Sequence, residues 1–150
     1  MKDGRMWIDL ISSLSADVKL GGPGCEEEMR ATEAVLGHPL PAALKDFWRL
    51  ADGAHDENGF AVVCSVGEVM GRNLEFRSSA DFRDLYMPFD PLLLFGESAG
   101  GDLFACVVRP QRPDVFVWDH ENDSRRWAAN SLEDYLRRRL GDDPEWYASW

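Results

Sequence analysis

The chain has 150 residues, of which 45% are hydrophobic and 29% are charged, a balance that suits one folded domain and argues against disorder or two independent cores. Asp and Glu number 27 against 16 Lys and Arg, so the formal net charge is −11, which would repel both nucleic acid and anionic membrane surfaces. A basic protein is a better partner, although charge of this size can also serve solubility alone.

The cysteines and the apolar runs predict the compartment. Cys25, Cys64 and Cys106 are an odd number with no CxxC spacing, which favours a reducing environment. The sequence shows no apolar run of the length that a signal peptide or a membrane span needs. We therefore expect a soluble cytoplasmic protein.

The N-terminal third shows three helical patterns, separated by a Gly-Gly-Pro-Gly break at 21–24 and by Gly37. Three glutamates at 26–28 favour the positive end of a helix dipole, and Gly37 is the predicted C-cap of that helix. The third helix opens at Leu40-Pro41 with proline at its first position, and Gly53 follows its end. The positions expected to face the core are Trp7, Leu10, Ile11 and Leu14, then Met29, Thr32, Val35 and Leu36, then Leu44, Phe47, Trp48 and Ala51.

From residue 60 the pattern changes to short apolar runs, which predict strands at 60–64, 92–95, 103–108 and 115–118. The connections 96–102 and 109–114 are too short for a helical crossover. The last three strands are therefore predicted to form an antiparallel meander. Residues 66–90 stay open, with a short helix at 66–74 as one interpretation and a turn at 87–91.

A last helix follows Asn130 or Ser131 as N-cap, with Glu133 or Asp134 completing a capping box. Three arginines at 137–139 close it and stabilise its negative end. The predicted fold is a single α+β domain with a central, mostly antiparallel sheet flanked by helices, and its oligomeric state stays open. The stripe expected to be buried is Leu132, Tyr135, Leu136 and Leu140, and the tail residues expected to dock on the body or on a second copy are Trp146, Tyr147 and Trp150.

Two loops carry residue types that can bind a metal. They contain Asp52, His55, Asp56 and Glu57, and Asp119, His120 and Glu121. Neither loop has the HExxH spacing or the glycine-punctuated pattern of a calcium loop, so solvated charge is the preferred interpretation and no metal or other cofactor is predicted.

No catalytic residue is predicted either. Ser98 lies in a segment with the letters GxSxG, but the turn joins two predicted strands, whereas a nucleophile elbow leads from a strand into a helix. Cys64 and Cys106 lie among Val, Phe and Ala, where burial disfavours a reactive thiolate. We expect that the protein is not an enzyme.

One pattern stands above background, because five turn or cap segments hold 14 of the 27 acidic residues and no Lys or Arg. These segments are 26–28, 52–58, 97–102, 119–123 and 142–145. If several meet at one edge of the sheet, they would form an acidic rim around exposed aromatics such as Phe60, Trp118 or Trp127, and otherwise they are scattered loop charge. The predicted partner-binding residues are Asp52, Asp56, Glu57, Glu97, Asp102, Trp118, Asp119 and Glu121.

The order of motifs over residues 33–140 carries a family resemblance. The motifs are Glu33-x-x-Leu36-Gly37-x-x-Leu40-Pro41, then Phe47 and Gly53, then Phe95-Gly96 and Gly100-Gly101-Asp102, then Trp118-Asp119-His120-Glu121, and last Ser131-Leu132 and Tyr135-Leu136. In this order they resemble the SUKH superfamily, which includes Smi/Knr-type fungal cell-wall regulators and many bacterial immunity proteins. The N-terminal helix and the aromatic tail lie outside the resemblance.

The resemblance implies a mostly antiparallel sheet flanked by helices, with protein binding as the shared activity. Bacterial members commonly neutralise polymorphic toxins, often nucleases, and an acidic inhibitor can cover the basic cleft that a nuclease needs. The expected function is therefore an immunity protein for a cognate, basic, nuclease-type toxin. A regulatory or scaffold module of the same fold, and a small hydrolase or metal enzyme using Ser98 or the two His-acid loops, remain as alternatives.

Overall fold

Strands in two antiparallel sheets, with helices around them, make up the computed structural model, which describes residues 5–149. The larger sheet has four strands in chain order and the smaller has three short ones. This is the α+β fold with an antiparallel meander that the sequence predicted. The elements are α1 (Arg5–Leu14), β1 (Lys19–Leu20), α2 (Glu26–Leu36), α3 (Ala42–Trp48), β2 (Ala54–His55), β3 (Ala61–Val63), α4 (Val66–Ser78), α5 (Ala80–Leu85), β4 (Leu92–Glu97), β5 (Leu103–Val108), β6 (Gln111–Trp118), β7 (Arg125–Ala129), α6 (Leu132–Arg139) and a closing 3₁₀ turn (Trp146–Ser149).

The four-stranded meander is apolar on both faces. Its strands β4, β5 and β6 pair as hairpins, with Leu93 opposite Cys106 and Ala105 opposite Phe116. Alternate residues enter two separate hydrophobic cores, so the first five residues of β4 are all buried. The sheet therefore needs cover on each side.

Two sets of elements provide that cover. The main core includes α1, α2, α3, α6 and the 3₁₀ turn, where Trp146 stacks on Phe104 with ring centroids 5.5 Å apart. The predicted docking of the tail on the body is confirmed for Trp146 and Tyr147, whereas Trp150 lies outside the described residues. Helices α4 and α5 cover the other face with an aromatic cluster. Its members are Phe76, Phe82, Tyr86, Phe89 and Trp118.

The smaller sheet meets the meander at β4. The Cys64 N–H donates to the Phe95 carbonyl at 2.7 Å, and the buried Tyr135 hydroxyl donates to the Val62 carbonyl at 2.6 Å. A side chain at Gly96 would lie 2.7 Å from that hydroxyl and 2.8 Å from that carbonyl, so only glycine permits this approach. The contact places the β2–β3 loop beside the end of β4.

Residues 66–90, which the sequence left open, contain two helices. Ser65 caps α4 in a capping box with Glu68, and Ser79 caps α5 by accepting the Phe82 N–H. The predicted short helix therefore continues to Ser78, past residue 74. Along residues 5–149, every helix is too short or too polar to cross a lipid bilayer.

Several details differ from the sequence predictions. Pro41 is the N-cap of α3 and not its first residue, with ψ at 136°. Val35 is 51% exposed and does not face the core, because it lies about 100° around the helix from buried Leu36. Strand β6 begins at Gln111 and not at residue 115. The sequence also missed β1, β2, β7 and α5, which are short or begin with polar residues.

Asn73 fixes α4 to the edge of the meander. Its side chain is fully buried, donates to the Leu94 carbonyl at 2.9 Å and accepts the Leu94 N–H at 2.9 Å. It also donates to the Val69 carbonyl at 2.8 Å within its own helix. One amide group thus replaces the neighbouring strand that β4 lacks at this point.

Asn73→Ala should lower the free energy of unfolding by about 2–4 kcal/mol, because two buried backbone groups of Leu94 lose their partner. Urea denaturation followed by tryptophan fluorescence measures the change. Asn58→Ala is the matched control, because Asn58 is exposed in the β2–β3 loop and should change stability by less than about 0.5 kcal/mol. Equal effects of the two substitutions would contradict this role of Asn73.

Candidate partner-binding surface

The loops at one end of the meander lie side by side and are rich in carboxylates. The β4–β5 and β6–β7 hairpins both close at this end, because successive antiparallel strands reverse direction. Nδ1 of His120, in the second loop, lies 2.9 Å from Oδ1 of Asp102, in the first. Asp119 lies beside this pair and accepts the Glu121 N–H at 2.9 Å. Segments 97–102 and 119–123 therefore form one continuous surface.

Arg139 joins the β2–β3 loop to this surface. Its guanidinium donates to Oδ2 of Asp56 at 3.1 Å and to the Glu97 carbonyl at 3.2 Å. The Glu97 carboxylate accepts the Ala61 N–H at 2.9 Å and pairs with Arg72 at 3.1 Å. The sequence assigned Arg139 only to the end of α6, whereas the folded chain buries it as a bridge between two loops.

The C-terminal acidic segment also reaches this surface. Pro144 and Gly141 line a groove of about 190 Å³ together with Asp56 and Glu57. Four of the five predicted segments therefore meet, and the fifth, 26–28, opens α2 and stays outside. We call the shared surface the acidic edge. It consists of residues 52–58, 97–102, 119–123 and 142–145.

The predicted carboxylates occupy the acidic edge in different ways. Glu57 and Glu121 are exposed to solvent. Asp52 turns toward the start of α4, where its Oδ1 accepts the Val66 N–H at 2.9 Å, so its contacts are with the fold. Asp52 is half-buried, as are the remaining carboxylates of the set, which are Asp56, Glu97, Asp102 and Asp119.

The three aromatic residues predicted to be exposed at this edge differ in their exposure and position. The prediction that Trp118 is exposed is wrong, because α4 and α5 cover its face of the meander and leave it 4% exposed. Its Nε1 donates to Oδ1 of Asp123 at 2.7 Å. Trp127 is 38% exposed but lies on β7, where it donates to Asp114, away from the four loops. Phe60, half-buried in the β2–β3 loop, is the predicted aromatic that lies at the acidic edge.

Sequence reasoning missed a groove between α4 and the β4–β5 loop. It has a volume of about 490 Å³. The spacing of Glu68, Arg72 and Glu75 could have predicted a charged helix face here, since residues at i, i+4 and i+7 share one face of a helix. The groove was not predicted because α4 lies within residues 66–90, whose secondary structure the sequence left open. The lining residues are Glu68, Arg72, Glu75, Phe76, Gly101, Leu103 and Trp118.

Comparison with protein families agrees with this architecture. Residues 23–138 match the model of the SMI1 / KNR4 family (SUKH-1). The chain belongs to this family. The matched region runs from just before α2 into α6, so α1 and the aromatic tail of this SUKH-1 protein lie outside it. A comparison with curated proteins found no match.

The acidic edge of this SUKH-1 protein is partly neutralised from within. Burial disfavours the Asp56 carboxylate, but hydrogen bonds from Arg139 and from the Phe60 N–H outweigh it and hold the Asp56 pKa below its ordinary value. Conversely, the hydrogen bond from His120 to Asp102 raises the pKa of that imidazole. The edge therefore becomes less negative as the pH falls toward the His120 pKa.

Three possible metal ligands lie together at the edge. Single ligand atoms of Asp102, Asp119 and His120 lie within 4.8 Å of one another. The sequence grouped His120 with Asp119 and Glu121, whereas the fold replaces Glu121 with Asp102. The hydrogen bond between His120 and Asp102 accounts for the closeness of these groups by itself.

The residues considered for nucleophilic chemistry have structural contacts. Ser98 lies in the β4–β5 hairpin, as predicted, and its Oγ accepts the Asp102 N–H at 3.1 Å. Cys64 and Cys106 are buried, and burial raises the pKa of each thiol to about 12. Neither cysteine is therefore a thiolate near neutral pH.

Asp56→Asn should lower the free energy of unfolding at pH 7 by about 2 kcal/mol, because Arg139 loses its charged partner. The folded-state pKa of Asp56 lies below its ordinary value of 3.8. Its contribution is therefore present above that value and is lost as the pH falls through the folded-state pKa. Urea denaturation between pH 7 and pH 3 should show the two proteins converging in acid.

Glu57→Gln is the matched control for Asp56→Asn. Glu57 is the neighbouring, exposed carboxylate, and its substitution should leave stability within about 0.5 kcal/mol at every pH. A difference between Asp56→Asn and wild type that stays constant from pH 7 to pH 3 would contradict the proposed ion pair.

Proposed function

We propose that this SUKH-1 protein is a cytoplasmic immunity protein, which binds a cognate, basic, nuclease-type toxin and neutralises it without catalysing a reaction. The observation that carries the proposal is the convergence of four acidic loops at one edge of the sheet. The resemblance of the chain to bacterial immunity proteins of the superfamily supports the same function. Its three free cysteines suit the reducing cytoplasm.

The electrostatics favour a basic protein over other partners. A net charge of −11 repels nucleic acid and anionic lipid, so binding to either is not expected. A nuclease concentrates Lys and Arg around its substrate cleft, and an acidic surface that covers the cleft gains attraction while it excludes the substrate. Complementary charge of this kind mainly accelerates association.

The acidic edge is also held in one conformation before a partner arrives. Arg139 fixes the β2–β3 loop to β4, and Arg72 fixes the Glu97 side chain. The exposed carboxylates of Glu57 and Glu121 are therefore displayed on loops whose bases are already ordered. Binding through such loops costs little further conformational entropy.

Affinity needs an apolar contact in addition to charge. Phe60 is half-buried in the β2–β3 loop, and its N–H donates to the Asp56 carboxylate at 3.0 Å. A partly exposed aromatic on a fixed loop is the type of residue that dominates protein interfaces. We therefore expect Phe60→Ala to raise the off-rate of the partner more than it changes the on-rate.

Co-expression with the product of the neighbouring gene tests the proposal directly. If that product is the toxin, this protein should restore growth and form a complex that survives purification. If the protein instead binds an endogenous protein tightly and does not relieve toxicity, a regulatory or scaffold role would be favoured.

The double variant Glu57→Gln, Glu121→Gln should slow association with the toxin about two- to fivefold at low salt and leave the off-rate nearly unchanged. Surface plasmon resonance over a range of NaCl concentrations measures both rates. Asp9→Asn with Glu27→Gln is the matched control, because it removes two exposed charges outside the acidic edge. On-rates that do not depend on salt would contradict the electrostatic part of the proposal.

A further inference from the structure

The groove between α4 and the β4–β5 loop combines two kinds of surface. Phe76, Leu103 and Trp118 contribute apolar side chains, and Glu68 and Glu75 contribute carboxylates. Leu103 and Trp118 are buried members of the second core, whereas Glu68 and Glu75 are exposed. A side chain that enters this groove therefore meets aromatic and aliphatic carbon beside negative charge.

The groove lining holds two carboxylates, Glu68 and Glu75, and one cation, Arg72. Arg72 is paired with Glu97 at 3.1 Å, outside the groove lining. Glu68 accepts the Ser65 N–H at 2.9 Å and lies 3.2 Å from Nε2 of His55, which carries charge only when protonated. Among residues 5–149, the Glu75 carboxylate has no hydrogen bond or ion pair. The groove thus retains negative charge that a ligand can meet.

The aromatic cluster already binds one guanidinium in this way. The Arg125 guanidinium carbon lies 4.5 Å from the ring centroid of Phe89, and the same side chain pairs with Asp123 at 3.1 Å. Phe76 and Trp118 belong to the same cluster, with ring centroids 5.7 Å apart. Half-buried Phe76 and exposed Glu75 make the groove a second place where a cation can contact an aromatic ring and a carboxylate together.

We infer that this groove binds an arginine side chain presented by the basic partner protein. The methylene stem of the arginine lies along half-buried Phe76 and the guanidinium faces Glu75, while buried Leu103 and Trp118 form the floor of the groove. Arginine fits better than lysine, because a planar guanidinium stacks on aromatic rings and donates two parallel hydrogen bonds to a carboxylate. The inference rests on the proposed function for the presence of a basic partner, and its chemistry can be tested without that partner.

The test uses the full protein and the tripeptide acetyl-Gly-Arg-Gly-amide as probe. In ¹⁵N NMR spectra, the Trp118 indole and the Gly101 amide should shift and saturate as the peptide is added. The Trp48 indole should not shift, because Trp48 lies in the main core and does not line the groove. The same peptide with citrulline in place of arginine keeps the shape but not the charge, and should bind on the order of tenfold more weakly.

Glu75→Gln should weaken arginine-peptide binding about two- to fivefold, because it removes one exposed carboxylate from the groove. Glutamine preserves helix propensity, and Glu68 is left intact because it caps α4. Asp9→Asn, on α1, is the matched control and should not change the affinity. A titration without saturable shifts at Trp118 and Gly101, or equal binding of the arginine and citrulline peptides, would overturn the inference.

This outcome is independent of the toxin experiment. A groove that binds the arginine peptide in a protein that relieves no toxicity would refute the immunity function and retain the arginine site. If the protein relieves toxicity but its groove does not bind the arginine peptide, the arginine site is refuted and the immunity function is retained.

Discussion

The acidic edge depends on the contacts of Glu97. Its carboxylate holds the backbone of β3 through the Ala61 N–H and pairs with Arg72 on α4, while its carbonyl accepts Arg139 from α6. Arg139 in turn binds Asp56. Carboxylates at this density repel one another, so the loops need internal cations to stay together. These pairs are largely shielded from water, where charge-assisted hydrogen bonds are strong and the loss of one partner is costly.

Two groups of carboxylates at the edge have different consequences. Those of Asp56, Glu97 and Asp123 are bound by arginines of the same chain and order the loops. Those of Glu57 and Glu121 point to solvent and remain available to a partner. The net charge does not distinguish these groups, and recognition is expected to depend mainly on the second. The sheet that carries these loops is covered on both faces by hydrophobic cores, in a chain that belongs to the SUKH-1 family.

Sequence reasoning succeeded where the signals are local and failed where they depend on distant packing. The meander followed from short connections between apolar runs, and Ser131 caps α6 as one of two predicted candidates, by accepting the Asp134 N–H. The sequence placed Trp118 correctly at the end of a strand but predicted it to be exposed, whereas it is buried. The elements that bury it, α4 and α5, lie in the stretch that the sequence left open. The groove beside α4 was missed for the same reason.

By itself, the sequence determined the net charge, the main helices, three of the four strands of the meander and the acidic character of the loops. Periodicity, capping and turn chemistry act over a few residues, so they can be read without the fold. Only the tertiary structure decided which loops meet and which carboxylates are neutralised. The bond from Arg139 to Asp56 spans 83 positions and that from Tyr135 to Val62 spans 73. Such pairs form only when packing brings together segments whose local sequences carry no information about each other.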